Sequence, residues 1–305
     1  MTPAWCVLRW QMGWVGYILP MPTVFLAAFW MIGAMVSFMA MALGGRELSS
    51  DLSTFQVLFF RSVVGLLIVS VLVWRRGASV VRSQKLRLHV GRNLAHFVGQ
   101  FGWFFAIATI PLAEVFAIEF TVPVWAALMS ALFLGERLTA RRLLALALGV
   151  AGVLLIVKPG VGLFQPAALA ALVGAIGYAA SHVCTKRLTA TDAPLAILFY
   201  MTAVQLPLGL LGSVWQWQPV LSAHVPWLIV VGTTALTAHY CLARAFSLAE
   251  VAVVLPMDFL RLPLAAALGY FLYNESFEAM TMLGSVLIVA ANVSTLAPER
   301  RASVR

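Results

Sequence analysis

The chain of 305 residues is 62% apolar and only 10% charged, with a mean hydropathy of +0.96, and this balance excludes an ordinary soluble domain. Apolar runs of about 18 residues or more recur from end to end, and each could cross a hydrocarbon layer of roughly 30 Å as a helix. The net charge of +9 is therefore interpreted as a membrane-topology signal and not as a nucleic-acid footprint. Three scattered cysteines, Cys6, Cys184 and Cys241, predict neither a disulfide framework nor a metal site.

The apolar runs predict ten membrane-spanning helices, preceded by an N-terminal tail of residues 1–22 that is rich in tryptophan. An alternative interpretation of this tail is that translation begins at Met12 or Met21. The predicted spans are 23–43, 55–74, 93–109, 112–134, 140–157, 166–185, 194–213, 225–243, 249–272 and 279–296. Only a few residues separate spans three and four, and spans eight and nine, so each of these pairs is expected to form a tight helical hairpin.

The distribution of lysine and arginine supports this count. If the N-terminus is cytoplasmic, 16 of the 20 cations fall on the cytoplasmic side and two on the outer side, while Arg61 and Arg261 lie within spans. Such a bias is typical of multi-pass membrane proteins, whose cytoplasmic loops carry the excess of Lys and Arg. We therefore expect an inner-membrane protein with both termini, including the basic tail 298–305, in the cytoplasm.

The chain also contains an internal duplication. Residues Leu112–Glu136 and Leu248–Glu275 both begin with Leu-Ala-Glu-Val, continue with a proline-interrupted apolar run and end on glutamate. The duplicated units are predicted to be 23–160 and 161–297, with five spans in each. Because five is odd, the second unit enters the membrane upside down relative to the first, an arrangement that suits alternating access. We predict an all-α fold of ten transmembrane helices in two inverted five-helix repeats.

These motifs resemble a known family. Leu-Ala-Glu before a proline-broken helix, followed by Leu134-Gly135-Glu136-Arg137-Leu138-Thr139, is similar to the EamA-type repeat of the drug/metabolite transporter superfamily. His239-Tyr240, Arg244-Ala245 and Asn274-Glu275 resemble the second copy of that repeat. The resemblance covers about residues 23–297. It implies ten helices, a central cavity lined by spans one, three, four, six, eight and nine, and carriage of small metabolites.

Polar side chains inside the spans are the candidate site residues, because an ionisable group at membrane depth is costly. In span three, His96, Gln100 and Trp103 share one helical face, which suits a cavity wall but also suits interhelical hydrogen bonding. In span four, Glu119 lies close to Pro123. Its carboxylate could serve proton coupling or capture of a cationic substrate, and the structural alternative is an ion pair with Arg61 of span two.

Further candidates lie in the second unit. Tyr178 and His182 are one turn apart in span six, where Tyr178 is the better cavity residue and His182 has an interfacial position. His239 in span eight is either a cavity residue or a packing residue. Asp258 and Arg261 in span nine lie between two prolines, so they either neutralise each other or present both charges to a zwitterionic solute. Glu275 is expected to be a helix-end charge that stabilises a gate.

These features predict a secondary active transporter of a small organic metabolite, with proton coupling and exchange both open. An amino acid, a cofactor-like compound or another aromatic or amphipathic solute fits the mixture of rings, amides and imidazoles. The expected partners are this solute and the lipid bilayer, without nucleic acid, in a monomer or homodimer. The alternatives are a non-transporting scaffold or channel and an intramembrane enzyme. The sequence carries neither a Walker-type loop nor an H-E-x-x-H motif, and we expect no catalytic residues, cofactor or metal.

Overall fold

The computed structural model describes residues 21–122, 124–126, 128, 129, 140–157, 165–188, 191–248, 261–276 and 278–296. Within these residues the structure has ten long or medium α-helices. They are α1 (Met21–Leu48), α2 (Thr54–Arg76), α3 (Leu86–Thr109), α4 (Leu112–Glu119), α5 (Ala140–Val157), α6 (Pro166–Leu188), α7 (Pro194–Ser213), α8 (His224–Leu248), α9 (Arg261–Tyr273) and α10 (Ala279–Leu296). Short 3-10 helices at Ala78–Val81 and Val214–Gln216 follow α2 and α7. The all-helical, ten-helix prediction is confirmed.

The outer surface of this bundle is apolar, as a lipid-facing surface must be. Five helices (α1, α2, α6, α7 and α8) are long and apolar enough to cross a membrane, and shorter apolar stretches lie in α5, α9 and α10. Large side chains such as Phe29, Trp74 and Phe271 are 65–82% exposed. By contrast, α3 buries Arg92, Asn93, His96 and Gln100 within the protein, so its polar face is the interior one.

The contacts between helices follow a two-fold pattern. The most extensive packing joins α3 to α6 and α1 to α8. The third helices of the two halves are α3 and α8, and the first helices are α1 and α6. Exchanging each helix for its counterpart in the other half therefore converts the first pair into the second. The pairs α2–α7 and α5–α10 are converted into themselves, which places them on the pseudo-two-fold axis. The two halves therefore interlock instead of lying side by side.

The first turn of each half has the same local geometry. The carbonyl of Leu48 accepts hydrogen bonds from the two amides three and four residues later, and the carbonyl of Leu188 does the same. The residues before α2 and α7, Ser53 and Ala193, have nearly identical backbone angles, with φ −65° and ψ 152° in Ser53 and φ −67° and ψ 148° in Ala193. The duplication seen in the sequence is thus preserved in backbone conformation.

These two turns lie at opposite faces of the membrane, because five helices separate them. We name the faces after the aspartate in each turn: the Asp51 face and the Asp192 face. On the Asp51 face, His224 Nε2 of α8 lies 3.0 Å from Asp51 Oδ2. On the Asp192 face, His89 Nε2 of α3 lies 2.7 Å from Asp192 Oδ2. Each contact joins the first turn of one half to the third helix of the other, as inverted insertion requires.

Glycines make the closest helix contacts between the halves. A Cβ added to Gly102 of α3 would overlap the carbonyl oxygen of Ala170 in α6, and one added to Gly177 would lie 2.6 Å from the carbonyl oxygen of Ala95. Small residues of this kind let helix backbones approach closely within a membrane. The glycines of α6 thus permit a close approach to α3.

Candidate functional site

The fourth helix ends at the carboxylate that the sequence singled out. Pro123 has no N–H to donate to the carbonyl of Glu119, four residues earlier, and α4 stops at Glu119. The chain then makes a turn at Phe120 and Thr121, where the Thr121 hydroxyl donates to the Ile118 carbonyl at 2.7 Å. Proline thus places the Glu119 side chain at a break in the helix, with 16% of that side chain exposed.

Glu119 joins the two halves of the protein. Its Oε2 accepts a hydrogen bond of 2.9 Å from Trp103 Nε1 of α3, and its Oε1 lies 3.4 Å from Nη2 of Arg261. Arg261 is in α9, within the second copy of the duplicated segment. The pair therefore connects the two copies of that segment.

Aromatic rings enclose the Arg261 guanidinium. Its central carbon lies 4.7 Å from the ring centroid of Phe38, 5.4 Å from that of Phe116 and 5.6 Å from that of Phe120. Each distance is within the range in which a ring face stabilises a cation. Arg261 is only 3% exposed, so this charge is held by Glu119 and a box of rings, with little contact to solvent. The companion residue predicted in span nine, Asp258, lies outside the described residues.

The sequence offered an ion pair between Arg61 and Glu119 as an alternative, and the structure contradicts it. Arg61 of α2 instead donates from Nη1 to the side-chain oxygens of Gln100 in α3 and Gln205 in α7, at 3.1 and 3.3 Å. The physical reason is orientation. Arg61 faces Gln100 of α3 and Gln205 of α7, whereas Glu119, at the end of α4, faces Trp103 and Arg261.

The remaining predicted residues connect these two clusters. Gln205 Nε2 lies 2.9 Å from Nδ1 of His96. The His96 ring contacts the rings of Tyr178 and His239 at 5.4 and 5.2 Å, and the His239 ring contacts Phe38 at 5.7 Å. Phe38 also contacts Arg261, so polar and aromatic contacts run without a gap from Arg61 to Glu119.

His182 lies on the inward-facing side of α6, near the Asp192 face. Leu169 and Val173 are exposed on the lipid-facing side of α6. At about 100° per residue, His182 lies roughly 220° around the helix from Leu169, on the side that carries Tyr178. His182 is nevertheless exposed and Tyr178 is partly exposed, although Tyr178 packs over Gly99 of α3.

The Asp51 face is closed by a charged cross-link. Arg46 at the end of α1 forms an ion pair with Glu275 at 2.7 Å and donates to the carbonyls of Ile107 and Ile110 at 2.6 and 2.9 Å. The other carboxylate oxygen of Glu275 accepts from the amide of Leu112 at 2.9 Å. Glu275 is thus a helix-end charge, as expected, and its role in a gate stays a prediction. A small surface cavity of about 330 Å³, lined in part by Arg46 and Tyr273, lies beside this closure.

Outside the membrane-spanning helices, Asp192 is held as a carboxylate. Partial desolvation alone would raise the pKa of Asp192, but hydrogen bonds from Ser83, His89 and Thr191 outweigh this effect and lower the pKa below its ordinary value. Asp192 is therefore ionised at neutral pH. It fastens the α6–α7 turn to the beginning of α3.

Sequence reasoning missed Arg92, Gln205 and the phenylalanine box. Arg92 was counted only as a topology charge, although its spacing of four residues from His96 places both on one face of α3. Gln205 is a lone amide in an otherwise apolar helix, and that composition was a usable signal. Phe38 and Phe116 carried no signal, since phenylalanine is common throughout these spans.

The fold and this arrangement define a class: a duplicated ten-helix, multi-pass membrane protein whose charges and rings meet between inverted halves, in the manner of a secondary carrier. The chain belongs to the EamA-like transporter family, whose model matches residues 25–158 and again residues 165–296. The resemblance drawn from the sequence motifs is confirmed.

Curated relatives share most of their length with this chain. An S-adenosylmethionine uptake transporter of Rickettsia bellii is 23% identical over 90% of this chain and 94% of its own. A pseudopaline exporter of Pseudomonas aeruginosa is 30% identical over 82% of this chain and 88% of its own. A riboflavin transporter of Brucella anthropi is 29% identical over 78% of this chain and 86% of its own. A crystal structure of another protein matches with a TM-score of 0.61 at 20% identity, over 88% of this chain and 96% of that one, which supports the fold.

Proposed function

We propose that this chain is a secondary carrier that moves a small organic metabolite across the inner membrane by alternating access, without catalysing a reaction. The observation that carries the proposal is the Glu119–Arg261 pair. It lies between the two halves and is flanked by Trp103 and Phe38, so these four residues come from α1, α3, α4 and α9. A solute that bound among these groups would contact both halves at once.

The conformation supports the same mechanism. The Arg46–Glu275 cross-link closes the Asp51 face, whereas His182 is exposed towards the Asp192 face. One closed face and one open face describe one of the two end states of a carrier. The bias of lysine and arginine supports a cytoplasmic Asp192 face, cytoplasmic termini and therefore an inward-open state.

The site chemistry favours a planar or amphipathic solute. An indole and phenylalanine rings offer stacking surfaces, and the adjacent carboxylate, guanidinium and amides offer polar contacts. The names of the relatives support an organic metabolite of this kind, since S-adenosylmethionine and riboflavin both carry a planar ring system. The relatives include both an uptake transporter and an exporter, so the proposal concerns the mechanism and the class of solute.

Flux into proteoliposomes tests this function. The purified chain is expected to accelerate entry of at least one of radiolabelled S-adenosylmethionine, riboflavin or L-tryptophan over protein-free liposomes. Trp103→Phe removes the N–H that Glu119 accepts and should lower that flux about tenfold, which corresponds to the loss of one hydrogen bond to a charged group. Trp215→Phe is the matched control, because Trp215 is 83% exposed. Absence of flux for all three compounds with folded protein would contradict the proposal.

A further inference from the structure

Two buried arginines near the site have only neutral partners. Arg61 is 2% exposed and Arg92 is 6% exposed. Arg61 donates to two glutamines, and Arg92 donates from Nε to Thr185 at 3.2 Å and from Nη1 to Asn93 at 2.7 Å. Among the described residues, no carboxylate forms an ion pair with either arginine, and the nearby acid Glu119 already pairs with Arg261. A buried charge normally requires a counter-charge.

The free donors of Arg61 have a specific geometry. Its Nε and Nη2 are enclosed and have no hydrogen-bond partner among the described residues. These two N–H groups form one edge of the planar guanidinium and point in parallel directions. This edge matches the two oxygens of a carboxylate, which it can bind with two parallel hydrogen bonds.

A row of buried polar side chains extends from the Asp192 face to this edge. Arg92, His96 and Gln100 occupy successive turns on one face of α3, and Gln100 accepts from Arg61. Opposite them on α6, Thr185 accepts from Arg92, and the exposed His182 lies one turn deeper. A negatively charged group that entered from this face would meet Arg92 first and Arg61 further in.

We infer that Arg61 binds a carboxylate of the transported solute, and that Arg92 attracts it from the Asp192 face. The inference rests on the proposed function and narrows its substrate class to carboxylate-bearing metabolites, amino-acid-like zwitterions included. The ring system of such a solute lies towards Trp103 and Phe38. In this conformer the Arg61 edge is enclosed, so the carboxylate reaches it when the two halves shift.

Ligand pairs that differ by one carboxylate test the inference on the purified full-length protein. The pairs are S-adenosylmethionine with its decarboxylated form, and L-tryptophan with tryptamine. We expect the carboxylate-bearing member of at least one pair to raise the melting temperature and to bind at least about tenfold more tightly than its partner. Inorganic phosphate is included as a separate arm. Stabilisation by phosphate but by neither carboxylate would overturn the assignment to a carboxylate.

Variants separate this role of Arg61 from a structural one. Arg61→Lys keeps the positive charge but loses the two-donor edge, so it should reduce the difference within the ligand pair while the protein stays monodisperse. Arg61→Gln should abolish that difference. Arg75→Gln, at the exposed end of the same helix, is the matched control and should preserve it. An unchanged difference in folded Arg61→Lys would overturn the inference.

The flux assay keeps the two proposals distinguishable. Equal transport of both members of each pair would refute the carboxylate subsite while the carrier function stands. Selective binding of the carboxylate members without flux would support the subsite and contradict the carrier. If neither member of any pair bound or moved, and riboflavin did not move either, both proposals would be wrong.

Discussion

Removing the Glu275 carboxylate should open the Asp51 face. Glu275→Ala deletes the ion pair with Arg46 and the acceptor for the Leu112 amide. Hydrogen bonds to charged groups contribute about 1.5–3 kcal/mol each, and the side chains of Arg46 and Glu275 are 19% and 11% exposed, so solvent screening lowers the total. We therefore expect the closed conformation to lose about 2–3 kcal/mol, which shifts the equilibrium towards opening by roughly 30- to 150-fold.

A cysteine beneath the cross-link reports this opening. Ala42 lies one turn deeper than Arg46 on α1 and is 1% exposed. In a variant whose natural cysteines are replaced by serine, Ala42→Cys should react slowly with a membrane-impermeant maleimide and much faster when Glu275→Ala is added. Glu278→Gln, in the same connecting segment, is the control that removes a carboxylate elsewhere. Equal labelling rates with and without Glu275 would refute the view that this cross-link holds the face closed.

Three further predictions concern other contacts. Gly102→Val should prevent recovery of monodisperse protein on size-exclusion chromatography, because even a Cβ there overlaps the α6 backbone, whereas Gly91→Val on the same helix should be tolerated because nothing lies within 4 Å of a Cβ at that position. Asp192→Asn should lower the melting temperature at pH 7 by removing about 1–3 kcal/mol. Since the pKa of Asp192 is lowered in the folded protein, this stabilisation is complete above the ordinary aspartate value of 3.8 and is lost as pH falls through the lowered pKa, so the melting temperatures of the two proteins should converge in acid. A persistent difference there would contradict the account. Finally, Arg261→Met alone should destabilise the protein by about 3 kcal/mol more than Arg261→Met combined with Glu119→Gln, as measured by thermal unfolding, because the single change leaves a carboxylate without its cation.

Helix positions followed closely from the sequence, because the bilayer constrains them. The predicted spans 140–157, 194–213 and 279–296 coincide with α5, α7 and α10. The cation bias fixed an even number of spans, and the His–Asp contacts at the two faces agree with that parity. Boundaries were less accurate where a helix continues beyond the hydrocarbon layer. α3 begins at Leu86, seven positions before its predicted start at residue 93, because Arg92 and His89 find partners inside the protein.

Side-chain partners followed less well. The predicted spans give the depth of Arg61 and Glu119 in the membrane, but they do not give the direction of each side chain around its helix axis. That direction brings Arg61 to two glutamines and Glu119 to Arg261. The shared face of His96, Gln100 and Trp103 was predictable from a period of 3.6 residues, and all three are buried. Their partners on other helices depend on packing between the halves, which one sequence does not encode in any local pattern. The substrate-binding roles of all these residues, and the boundaries of the two units, remain predictions.

The glycine contacts bear on which parts of this protein can move as rigid bodies. α3 and α6 approach so closely that backbone meets backbone, yet they come from different copies of the duplicated sequence. Neither copy alone can cover its own glycine-lined groove, so chains severed after α5 should be recovered only when both fragments are made together. The units that can move as rigid bodies are then pairs with one helix from each copy, α3 with α6 and α1 with α8.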